Sequence, residues 1–152
     1  MKIFKHLLSF TLTTVLAFGA FAQDHGTKDE AKALVTEALV HIKKVGAAKA
    51  YKDFTSDKAQ LSKKDLYVVV QGDDGVVLAH ATNEKLVGKN LFDAKDQNGK
   101  LFVRELVDTC KKGEGWVDYD WANPVTKKVE GKSSYIKRIP GAEAGVLVGV
   151  YR

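Results

Sequence analysis

The chain has 152 residues, and its 24 lysines and arginines outnumber its 19 aspartates and glutamates to give a formal charge of +5. The cations are dispersed among the acids rather than gathered on one element with interleaved aromatics, so the pattern of a nucleic-acid binder is excluded. A lone cysteine, Cys110, excludes an internal disulfide, and four histidines scattered along the chain supply no metal-ligand spacing.

Lys2 and Lys5 precede an apolar run that closes at Ala20-Phe21-Ala22, the small-x-small pattern read by signal peptidase. Residues 1–22 are therefore expected to be a cleavable secretory signal. Cutting after Ala22 removes 22 residues and two lysines, which leaves 130 residues and turns +5 into +3. That remainder, residues 23–152, is the size of one domain in the periplasm or outside the cell. No later run is long enough to span a bilayer.

Gln23 to Gly26 reads as a flexible lead. Thr27 with Glu30 is a capping-box pair, and Ala31, Leu34, Val35, Ala38, Leu39, Ile42 and Val45 recur at helical spacing, with His41 among charges on the outer face. Gly46 interrupts this helix before a short second one, Ala47 to Phe54. Leu66–Gln71 and Val76–His80 flank Gly72-Asp73-Asp74-Gly75, a hairpin signal that lacks the calcium-loop spacing. Ala81 to Lys95 is a long irregular connection carrying Leu86, Val87, Leu91 and Phe92, an apolar lid of the kind that often serves binding.

A helix follows over about 100–112, closed by Gly113. Trp116–Trp121 and Val129–Ile139 form a second hairpin around Asn123-Pro124. Alternation along its first strand puts Val117, Tyr119 and Trp121 on one face and Trp116, Asp118 and Asp120 on the other. The closing GVLVGVY, Gly145 to Tyr151, is apolar enough to lie between two neighbours, and Gly149 marks a bulge or a close approach. The expected fold is α+β: a PAS-like antiparallel sheet of about five strands packed on the long N-terminal helix, its other face covered by loops and a helix.

No Gly-x-Ser-x-Gly, His-Glu-x-x-His, Cys-x-x-Cys or phosphate-cradling loop is present, and no catalytic residue is assigned. The Asp118, Asp120 pair and Cys110 are what an exported enzyme would have to use, and a ligand-free envelope interaction module is another alternative. The constellation with binding chemistry is Tyr119 and Trp121 with Lys132 and Arg138 on the facing strand and His80 at the end of another. Rings exclude water from a carbon skeleton while a cation holds a carboxylate. Spacing alone equally allows these rings to be plain core. Lys132 and Tyr135, three apart, share a face only if a bulge intervenes.

The blocks DDGVVLAHATNEKLVGKNL, KDQNGK, GEGWVDYDWANPVTKKVEGKSSYIKR and GVLVGVYR, in that order, resemble a single Cache domain of the second type, a PAS-like extracellular sensor fold. The resemblance covers nearly all of residues 23–152. It implies a non-catalytic domain without cofactor or metal that binds a short organic acid between sheet and covering segments. The matched positions are His80, Tyr119, Trp121, Lys132 and Tyr135, with Arg104 on the covering helix. Family members sit in chemoreceptors and sensor kinases, where they serve signal transduction and chemotaxis between membrane spans. A cleavable signal without a second span or output domain departs from that pattern. The expectation is a free-standing periplasmic form that presents its solute to a membrane sensor or chemoreceptor.

Overall fold

The computed structural model describes residues 25–56 and 61–152, so the secretory signal expected over 1–22 lies outside the described residues. Helix α1 (Lys28–Val45) opens on the capping box: the Thr27 hydroxyl accepts from the Glu30 N–H while the Glu30 carboxylate accepts from the Thr27 N–H. Gly46 ends it at φ 85°, a conformation that L side chains resist. Helix α2 (Ala47–Ser56) follows at once. His41 on α1 reaches Asp53 on α2 at 2.7 Å and tilts against the Phe54 ring, so it clasps the two helices instead of standing free in solvent.

Six strands form one antiparallel sheet: β1 (Ser62–Lys63), β2 (Leu66–Gly72), β3 (Val77–His80), β4 (Glu114–Ala122), β5 (Val129–Arg138) and β6 (Ala144–Tyr151). Neighbours run β1-β2-β6-β5-β4, and β3 also pairs with β2. Taken without the two-residue β1, the strands lie in the order second, first, fifth, fourth, third, which is the PAS-like arrangement. The last strand is thus central, and all of β6 is buried, which is why its sequence is apolar on both faces.

Strand alternation divides the core in two. Leu66, Val68, Val70, Val146, Val148, Val150 and Tyr135 point to α1 and α2, where they meet Leu34, Val35, Ile42 and Phe54. Each such aliphatic side chain contributes roughly 1.5–3 kcal/mol on burial, so packing of this face outweighs the ~1 kcal/mol of the helix cap. Residues of opposite parity, among them Tyr67, Val69, Val117, Tyr119, Ile136, Leu147 and Tyr151, point to helix α3 (Phe102–Lys111) and to the connection 81–101. That connection contains a 3₁₀ turn, Glu84–Leu86, and is bonded back to the sheet by Val77 N–H to the Lys89 carbonyl and Gly88 N–H to the Val77 carbonyl. It also covers the outer edge of β4. Asp96 accepts from the Asp120 N–H at 3.2 Å and Lys100 donates to the Asp118 carbonyl, which occupies groups that would otherwise template another strand.

The register of β3 against β2 slips once: Val70 pairs with Ala79 but Gln71 with Val77, so Leu78 is an extra residue. This bulge reverses the alternation. Val77 and His80, three apart, therefore both reach the α3 side. No such slip occurs along β5, whose pairing with β4 and β6 is continuous.

Of the lead expected to be flexible, Gln23 to Gly26, the described residues His25 and Gly26 are tied down, and Gln23 and Asp24 lie outside the described residues. His25 Nδ1 lies 2.6 Å from one oxygen of Asp65, and the buried Gly26 N–H donates to the other at 2.7 Å. Asp65 itself is 2 % exposed. Asp65→Ala strands that N–H, and the expected cost is about 1–3 kcal/mol in urea unfolding. An unchanged midpoint would show that the latch carries no stability.

Candidate functional site

Between the sheet and its α3-side cover lies a cavity of about 30 Å³. β2 supplies Tyr67, Val69 and Gln71, β3 supplies Val77 and His80, β4 supplies Tyr119 and Trp121, and β5 supplies Lys132. Leu86 and Leu91 of the connection and Phe102, Val103 and Leu106 of α3 close it. The walls are thus aromatic and aliphatic, with a few polar atoms converging from the sheet.

Lys132 is the charge-bearing group at its centre. Only 2 % exposed, it donates from Nζ to the Tyr67 hydroxyl at 2.6 Å and, longer, to the Tyr151 hydroxyl at 3.4 Å. The Tyr151 hydroxyl in turn donates to the Ala122 carbonyl at 2.8 Å, which leaves Tyr67 to donate to Tyr151 across 3.1 Å. The same two rings lie 3.9 Å and 4.7 Å from Nζ and offer their faces to a cation. Among the described residues no carboxylate forms an ion pair with Lys132. Asp65, the anion that most favours its charge, is engaged by His25 and Gly26. Desolvation wins, and the Lys132 ammonium is pulled down from 10.5 to about 7.

His80 is held neutral. Its Nδ1 accepts the backbone N–H groups of Thr82 at 3.3 Å and Asn83 at 3.1 Å, which fixes the proton on Nε2, and its ring stacks on Tyr67 at 5.2 Å. Burial, reinforced by Lys132, lowers it to about 4. Tyr119 bonds Ser134 at 2.8 Å and stacks on Phe102 at 4.6 Å, and Phe102 also meets Trp121 at 5.4 Å, so α3 organises the aromatic wall. Burial raises the phenols of Tyr67, Tyr119 and Tyr151 well above their ordinary value.

Of the six residues singled out by sequence, His80, Tyr119, Trp121 and Lys132 come together at the cavity. Tyr135 does not: the unbroken register of β5 turns it to the α1 face, where it packs on Trp116 at 5.3 Å under Lys32. Arg104 faces outward on α3, paired with Asp93 and lying over Phe92. Arg138 is drawn off by Asp73 at 3.0 Å. Asp118 and Asp120 are engaged at the β4 edge by Ser133 and Arg152 and by Gln97 and Asn98. Cys110 is buried beneath Gly145, and desolvation raises its thiol, which keeps it protonated. Among the described residues no group of three or more His, Cys, Asp or Glu side chains could hold a metal.

Tyr67, Gln71 and Tyr151 were not anticipated. Parity was the available signal: Tyr67 and Gln71 flank Val69 at even spacing, and Tyr151 pairs directly with Lys132 in the ladder. Gly149 is a close approach and not a bulge. A Cβ there would sit 2.1 Å from Lys132 Cε and 2.4 Å from Ser134 Oγ, so the glycine makes the groove through which the lysine stem runs.

A small buried cavity on one face of a PAS-ordered sheet, with an amphipathic helix on the other, defines a PAS-like sensor architecture. The sequence model of single Cache domain 2 matches residues 2–152, and the chain belongs to that family. A methyl-accepting chemotaxis protein from Vibrio parahaemolyticus superposes with a TM-score of 0.71 at 26 % identity over 82 % of this chain and 87 % of that one. A Cache chemosensory domain solved for its carboxylic acid recognition gives 0.67 at 24 % identity over 81 % and 91 %. The sensor histidine kinase MctS of Rhizobium johnstonii is 32 % identical over 88 residues, which are 58 % of this chain and 19 % of the kinase. No helix among the described residues is long and apolar enough to cross a membrane.

Gly149→Ala is expected to destabilise the protein by about 1–3 kcal/mol through overpacking, and Lys132→Ala in the same chain to recover part of that loss. Urea unfolding of the four proteins of this cycle checks it. Strict additivity would mean that the lysine stem does not lie over Gly149.

Proposed function

We propose that the chain is a non-catalytic sensor protein of the periplasm, exported by the signal at residues 1–22, whose residues 23–152 bind a short monocarboxylic acid. The observation that carries this reading is Lys132: a buried amine facing a cavity, with no carboxylate among the described residues in an ion pair with it. An amine in an apolar wall is costly to fold around, and it is useful when an anion is to be taken out of water. In this reading Lys132 pairs with the ligand carboxylate, the Nε2–H of His80 donates to its oxygens, and Tyr119, Trp121 and Phe102 enclose its carbon chain. About 30 Å³ has room for little more than one water-sized group, so the ligand is small and Leu86 and Leu91 shift outward to admit it. The fold-level likeness to a Cache domain that recognises carboxylic acids supports the same chemistry. Tyr135, Arg104 and Arg138 are left out of the contact set because each is engaged elsewhere. The bound state is read by a membrane sensor or chemoreceptor, in keeping with the signalling relatives.

Thermal unfolding against a panel of organic and amino acids tests the proposal. A bound acid at a hundredfold excess over its Kd adds about 2.7 kcal/mol of stability. Lys132→Met and Trp121→Ala should abolish the shift, while Arg104→Ala and Tyr135→Phe keep it. Stability indifferent to every acid in the panel would sink the reading.

A further inference from the structure

Building on the carboxylate reading, we infer that the cavity takes up a singly charged carboxylate together with one proton, which Lys132 receives, and that it therefore rejects dianions. Among the described residues, few titratable groups face Lys132. From β2 comes Tyr67, from β6 Tyr151, from β4 Tyr119, from β3 His80, and from the residue before β2 the Asp65 carboxylate. α3 contributes only the apolar Phe102, Val103 and Leu106.

The phenols are raised and stay neutral, and His80, its Nδ1 filled by two backbone donors, titrates near 4. Asp65 is spent on His25 and Gly26. Among the described residues lining this wall, Lys132 is the group able to become a cation near neutrality, and without a ligand its ammonium is lost through about 7. Entry of an anion supplies the missing counter-charge and restores the ammonium. The reaction is a carboxylate, a proton from solvent and the neutral amine giving a carboxylate–ammonium pair, the only bond formed being the third N–H of Lys132. A second carboxylate would find no second cation, since Arg104 and Arg138 are committed outside the cavity, and a buried unpaired charge is prohibitive.

The sign follows. The amine's pKa is lower in the empty protein than in the complex, so affinity is flat below about pH 7 and falls as pH rises above it, roughly tenfold per unit for one linked proton. Acetate, propionate and succinate are titrated by calorimetry at several pH values, in buffers of different ionisation heat. The expected result is uptake of close to one proton at about pH 8.5, a Kd that rises tenfold per unit between about pH 7.5 and 9.5, and no binding of succinate. Carbon-13 NMR of the lysine Cε in the ligand-free protein, with Lys132 assigned through Lys132→Met, should show a midpoint near 7.

Acetate or propionate binding with a flat pH profile and no buffer-dependent heat, or a Lys132 that stays protonated to about pH 10 in the empty protein, overturns this inference and leaves the carboxylate reading standing. Succinate bound as well as acetate overturns the exclusion of dianions. Failure of every acid to bind at any pH overturns both readings together.

Discussion

The structure turns on an amine held in an apolar wall without a counter-ion. Lys132 has phenol oxygens and phenol rings for company, and among the described residues no carboxylate completes the pair. Hydrogen bonds and ring faces recover part of the lost hydration but do not neutralise a full charge. The surrounding side chains are consistent with that state: His80 is made a neutral acceptor by the turn it caps, and the tyrosines are too deeply buried to ionise. A site assembled for stability alone would be filled more favourably by methionine or leucine, so this arrangement points to a partner that arrives from outside.

The fold provides that environment through two local departures from regular strand geometry. Omission of a side chain at Gly149 opens a channel across the middle strand for the lysine stem, and the extra residue at Leu78 swings His80 onto the same side as Tyr67. The bulge also shows on the opposite face, packed by α1 and α2, where the consecutive Leu78 and Ala79 both enter an otherwise apolar core. On the proposed reading, ligand chemistry is confined to the α3 side of the sheet, and the central β6 belongs to both faces.

Most of the architecture was legible in the sequence because its signals are local. The Thr27 to Glu30 cap, the glycine-aspartate turn, the parity of Val117, Tyr119 and Trp121 and the apolar final strand each depend on neighbours within a few residues. The site was legible only in part. Parity correctly warned that Lys132 and Tyr135 part company, but the family-like Lys-x-x-Tyr pattern favoured keeping both. The bulge that places His80 depends on how β3 registers against β2, and Tyr151 reaches Lys132 only because the last strand inserts beside β5. Pairing between strands far apart in sequence leaves no short-range signature. The same holds for His25 and Asp65, forty positions apart, whose latch ties the residue pair ahead of α1 into the structure.

The claim that Lys132 is buried against its own charge is tested most directly by comparing the unfolding free energy of the ligand-free protein with that of Lys132→Met across pH. Because the folded amine titrates near 7 and the unfolded one near 10.5, the unfolded chain binds the extra proton between those values. Burial of the lysine is therefore most costly below about pH 7 and is relieved as pH rises towards 10.5. The variant should be more stable by about 1–4 kcal/mol below neutrality, with the gap narrowing steadily in alkali. A variant that is less stable than the parent at pH 6, or a gap that does not change with pH, would contradict the account.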